Sequence, residues 1–61
     1  MASRREVAQY ARELILQKPE LKEVVIGIIE LMDDEINGGG GVEGECQMAF
    51  DELEELSKKG K

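Results

Sequence analysis

The sequence predicts an all-α fold of three short helices, about residues 3–17, 19–36 and 42–59. The first two form a helical hairpin, and the third either closes a small bundle or exchanges with a second copy in an intertwined homodimer. Three observations carry this reading: apolar residues recur at helical spacing in three segments, Pro19 separates the first two, and Asn37-Gly38-Gly39-Gly40-Gly41 separates the last two. With 61 residues there is room for one domain. A chain of this size buries only ~60% of the surface its unfolded form exposes. One cysteine and no histidine rule out an internal disulfide and the common zinc sites as substitutes for a large core. Self-association is therefore expected alongside folding, with a dimer favoured.

The first helix opens with Ser3-Arg4-Arg5-Glu6, a capping box in which the Ser3 hydroxyl and the Glu6 carboxylate each satisfy the other's backbone amide. Val7, Tyr10, Ala11 and Leu14 follow on one face, widened by Ile15, while Arg4, Arg5, Gln9, Arg12 and Glu13 turn to solvent. A tight turn at Gln17-Lys18 leads to Pro19, which suits a first helical position because its missing N–H would have no partner there.

The second helix places Leu21, Val24, Val25, Ile28, Leu31 or Met32, and Ile36 on one face and Ile26 and Ile29 on its flank, an arc too wide for one neighbour. Val24-Val25-Ile26-Gly27-Ile28-Ile29 is β-branched enough to read as a buried strand, but segment length, the preceding proline and the absence of a strand partner favour helix. Gly27 costs ~1 kcal/mol against alanine inside a helix, which suggests the close approach of another backbone. Asn37 and Gly38 suit a left-handed stop, with the remaining glycines a flexible linker.

The third helix spaces Val42, Cys46, Ala49, Leu53 and Leu56 by 4, 3, 4 and 3, a narrow seam too short for an extended coiled coil. Met48 and Phe50 flank it, Glu54 with Lys58 and Glu55 with Lys59 are suitably oriented i, i+4 pairs, and Gly60 ends it. Pooling the apolar positions, the expected core and oligomer interface is Leu21, Val25, Ile28, Ile29, Met32, Cys46, Ala49, Phe50, Leu53 and Leu56.

Charge is unevenly spread. Residues 1–22 carry five basic and three acidic side chains, residues 23–51 none and eight, and the last ten three of each. A basic start and an acidic middle can pair within a molecule or between two, and the acidic part repels nucleic acid. The third segment, with Glu43, Glu45, Asp51, Glu52, Glu54 and Glu55, cannot be a DNA recognition helix. Only Arg4, Arg5 and Arg12 on the first helix could approach phosphate, and the clustered carboxylates could instead imitate nucleic acid in a partner's basic cleft.

Asp33, Glu35, Asn37 and Gly38 match four positions of a calcium loop, but Gly44 stands where the bidentate glutamate is needed and Gly40 where an aliphatic residue belongs. The glycine run lacks the lysine and preceding strand of a phosphate loop. Cys46 has no base beside it in the pattern, and Ser3 and Ser57 sit at helix ends, so no catalytic apparatus, metal or cofactor is expected. No apolar run reaches the ~20 residues of a membrane span, and the N-terminus is charged and periodic where a secretory signal is continuously apolar. A cytoplasmic protein–protein adaptor or regulator, of a size and style common in bacteria and their phages, is the expectation, with an unidentified protein partner.

Overall fold

The computed structural model describes residues 2–58 and the backbone of Lys59. Helix α1 spans Arg4–Gln17, a single 3-10 turn spans Pro19–Leu21, α2 spans Lys22–Asn37 and α3 spans Val42–Lys59. Among the described residues there is no strand, and the β-branched run 24–29 is helical. The three helices run up, down and up. The start of α1 lies near the end of α2, where Arg4 bonds Asp33, and α1 and α3 run side by side in one direction.

Both halves of the capping box are formed: the Glu6 amide donates to Ser3 Oγ at 3.2 Å, and the Ser3 amide to Glu6 Oε1 at 3.0 Å. Ala2 and Val7 occupy the staple positions on either side of the box, and both are buried. At the other end the Lys18 amide closes on Leu14 O. Lys18 itself is pulled out of the helical region (φ −135°, ψ 78°) by the proline that follows. Pro19 therefore opens a 3-10 turn, and the α-helix proper begins three residues later than the sequence pattern indicates.

The core consists of Ala2, Val7, Ala11, Leu14, Val25, Met32, Cys46, Ala49 and Leu53. Leu53 and Cys46 from α3 and Val7, Leu14 and Val25 from the hairpin are its largest fully buried side chains. Tyr10, Ile15, Leu21, Ile28, Ile29, Ile36, Phe50 and Leu56 pack around them. The seam of α3 starts one step later than its spacing implies, because Val42 is 51% exposed. On α2 the ambiguity between Leu31 and Met32 resolves to Met32, which is buried, while Leu31 and Val24 face outward. A helix buried in a small bundle can hide only the middle of so wide an arc.

Two glycine expectations are corrected. A Cβ on Gly27 would meet nothing within 4 Å, so among the described residues no neighbouring backbone packs there. The left-handed residue is Gly39, with φ +106°, and neither Asn37 nor Gly38. The Gly40 amide reaches back to Glu35 O at 2.8 Å and the Gly39 amide to Ile36 O at 3.1 Å. These are the paired bonds of a Schellman stop, so this connection has a defined hydrogen-bonded path where the sequence suggests a loose linker. Gly40 has a steric role too, since a Cβ there would lie 2.8 Å from Glu35 O and 3.0 Å from Glu45 Oε2. Among the described side chains no ion pair joins Glu54 to Lys58. The Glu55–Lys59 pairing and the stop at Gly60 lie outside the described residues.

Three ties hold α3 in place beyond the core. Lys18 Nζ donates to Ser57 O at 2.8 Å, bringing a cation to the negative end of α3. The Ala2 amide donates to Gln47 Oε1 at 3.1 Å. Tyr10 and Phe50 stack with ring centroids 5.0 Å apart and planes tilted by 46°, a pairing worth ~0.5–1.5 kcal/mol beyond the area it buries.

A chain of this length has roughly 3 to 9 kcal/mol of stability on the usual scale of ~0.05–0.15 kcal/mol per residue. Leu53→Asp places an unpaired carboxylate at the centre of the core, at a cost of several kcal/mol, and is expected to abolish the helical circular dichroism signal. Gly27→Ala replaces an open helical glycine and should raise stability by up to ~1 kcal/mol in urea unfolding; a loss of that size would restore the idea of a close contact.

Candidate interaction surface

Closing the bundle leaves apolar surface on two sides of α2. On one side, between α2 and α3, Ile28, Leu31, Met32, Met48 and Ala49 line an open groove of about 200 Å³ whose margins carry Glu35, Glu45 and Glu52. Leu31 is 56% exposed and Met48 58%. Methionine beside leucine makes an adaptable apolar floor, because the thioether chain re-packs at little cost.

On the other side, between α1 and α2, Ala8, Ala11, Ile15, Leu16 and Ile29 line a second depression with Arg12 at its edge. Leu16 is the most exposed large apolar residue described, at 75%. Arg5, Ala8, Arg12 and Ile15 with Leu16 recur at three- and four-residue steps, so the outer side of α1 is a stripe of mixed apolar and basic side chains. A third depression, between α1 and α3, is ringed by Glu6, Glu13 and Glu54 around Tyr10 and Phe50. Those two rings already pack on each other, which leaves the depression polar at its margin and occupied by its own aromatic pair.

The ten residues pooled from the sequence fall inside the chain. Val25, Met32, Cys46, Ala49 and Leu53 are buried, and Leu21, Ile28, Ile29, Phe50 and Leu56 are half-buried against them. In the closed chain they serve the core, and only Ile28, Met32 and Ala49 also reach the α2–α3 groove. The large apolar residues more than half exposed are Leu16, Val24, Leu31, Val42 and Met48. The sequence pattern puts Val24 on the buried face, Leu31 there as the alternative to Met32, and Met48 beside the seam, and it gives Leu16 no role. Periodicity marks a helix as apolar on one side without saying how much of that side its neighbours will cover, so the sequence held no signal that separates covered from uncovered positions.

The charged candidates also separate. Arg4 pairs with Asp33, both well exposed at 55% and 40%, an arrangement worth under ~1 kcal/mol. It gives the acidic end of α2 a partner and takes one of the three arginines away from any phosphate. Asp33, Glu35 and Asn37 lie within the last turns of α2 and not in a loop. Successive carboxylates on a helix diverge, and among the described residues no three metal-ligating side chains converge. Cys46 is fully buried as a small hydrophobe. No helix among the described residues is long and apolar enough to cross a membrane. No family model matches the chain, and no curated protein and no solved structure matches it.

Because these outward residues do not support the core, changing them should spare the fold. The pairs Leu31→Lys with Met48→Lys, and Arg12→Glu with Leu16→Gln, are each expected to shift unfolding free energy by no more than ~0.5 kcal/mol per site. A larger loss in urea titration would mean that the groove or the stripe is part of the core.

Proposed function

We propose that this chain is a small helical protein–protein interaction protein, an adaptor or regulator without chemistry of its own, that self-associates through apolar surface its bundle leaves uncovered. The observation that carries the reading is the exposure of Leu16, Val24, Leu31 and Met48, each more than half open to solvent in so small a chain. Large apolar side chains scattered singly are ordinary, but Leu31 and Met48 share one groove and Leu16 lies in another. The charge distribution supports the same reading. Formal charge is −6, and the three acidic residues at the groove would oppose a nucleic-acid backbone. A reducing compartment such as the cytoplasm suits the unpaired, buried Cys46.

A standard interface takes ~800 Å² from each partner, close to a fifth of this chain's 4338 Å². Self-association must therefore use a whole groove. Light scattering over a hundredfold range of protein concentration is expected to show a mass rising above the 6.8 kDa of one chain. A constant monomer mass across that range would refute the reading.

A further inference from the structure

We infer that the occupant of the α2–α3 groove is the outer stripe of α1 from a second copy of this chain, joined head to tail. This rests on the reading of the chain as self-associating and names the two surfaces that meet. The groove presents Leu31 and Met48 between Glu35, Glu45 and Glu52. The stripe presents Ala8, Ile15 and Leu16, with Arg12 among them and Arg5 one turn before on the same face. Ile15 and Leu16 meet Leu31 and Met48, and the charges that the two surfaces carry, Arg5 and Arg12 against Glu35, Glu45 and Glu52, are of opposite sign. Docking an amphipathic helix into an apolar groove through side chains one and two turns apart is a common mode of helix recognition; here Ala8, Ile15 and Leu16 supply the apolar contacts and Arg12, between them, the charge.

The alternatives within one kind of molecule are electrostatically worse. Groove on groove sets three glutamates against the same three, and stripe on stripe sets Arg5 and Arg12 against themselves. Among the described residues Arg5 and Arg12 make no salt bridge, whereas Arg4 is taken by Asp33. The two surfaces share no lining residue and lie on opposite sides of α2, so one molecule can use both at once. Such a contact is heterologous. It leaves a free groove at one end and a free stripe at the other, and it grows beyond a dimer unless rotation closes a ring.

The test mixes two variants, each with one surface disabled. Leu31→Lys with Met48→Lys removes the groove's floor and repels arginine; Arg12→Glu with Leu16→Gln removes the stripe and repels the glutamates. Circular dichroism first checks that both keep wild-type helicity; if either does not, Leu31→Gln with Met48→Gln and Arg12→Gln with Leu16→Gln replace them. By light scattering, the wild type is expected to exceed a dimer at high concentration and each variant alone to remain monomeric. The equimolar mixture should form a one-to-one dimer that grows no further, at least tenfold tighter than either variant's self-association. A wild type that associates while the mixture stays monomeric would overturn the head-to-tail contact and leave self-association standing. A monomeric wild type would overturn both. If that monomer bound a synthetic basic amphipathic helix, the groove would belong to a foreign partner and not to a second copy.

Discussion

The structure depends on one insertion: the seam Cys46, Ala49 and Leu53 of α3 filling the space between α1 and α2. Val7 and Leu14 on one side and Val25 and Met32 on the other are buried together with that seam. Several core members are small, among them Ala2, Ala11, Cys46 and Ala49, so the helices approach closely but the apolar volume they enclose is modest. Each of the three further ties, Lys18 to Ser57, Ala2 to Gln47 and Tyr10 to Phe50, joins α3 to α1 or to the residues just before and after it. An α1–α2 hairpin deprived of α3 would expose Leu14 and Val25 together, which a chain with so little stability to spare could not sustain.

The same smallness accounts for what is left outside. Three helices in a triangle can each cover a limited arc, and the apolar arc of α2 exceeds it. Val25 and Met32 occupy the covered middle, while Leu31 and Val24 on one edge and Ile26 on the other emerge into solvent. Uncovered apolar surface is thus a consequence of putting a wide stripe into a narrow bundle. The unequal charge of the sequence then gives the two edges different character: arginines come from α1, and glutamates from the end of α2 and from α3. A segregation visible as a composition shift along the chain becomes a segregation between faces.

Much of the fold was legible beforehand because its signals are local. The capping box at Ser3 and Glu6, the turn before Pro19, the glycine stop and the α3 seam each follow from residues within a few positions of one another. Local signals also erred by small steps: Val42 is outside the seam, Gly39 holds the left-handed conformation instead of Asn37 or Gly38, and Pro19 initiates a 3-10 turn. Contacts between remote backbone and side chain left no trace in the pattern. Lys18 reaching Ser57 O is an example, since any carbonyl serves as acceptor. Gly27 misled for a different reason. A glycine in a helix invites a packing explanation, yet here it faces open space. The interaction surface was the least legible part, because covered and uncovered apolar residues of α2 share one composition.

Cys46 offers the most direct test of the α3 insertion, since it is fully buried in that seam and is the chain's single thiol. The measurement is its rate of modification by a thiol reagent under native conditions, at several protein concentrations and low concentrations of urea. If α3 closes the core within one chain, modification proceeds through global opening: slow in the absence of urea, accelerating in parallel with the unfolding equilibrium, and independent of protein concentration. Rapid modification at a rate unaffected by urea would contradict the account. So would protection that disappears on dilution, since Cys46 would then be covered by a second molecule and not by its own α1 and α2.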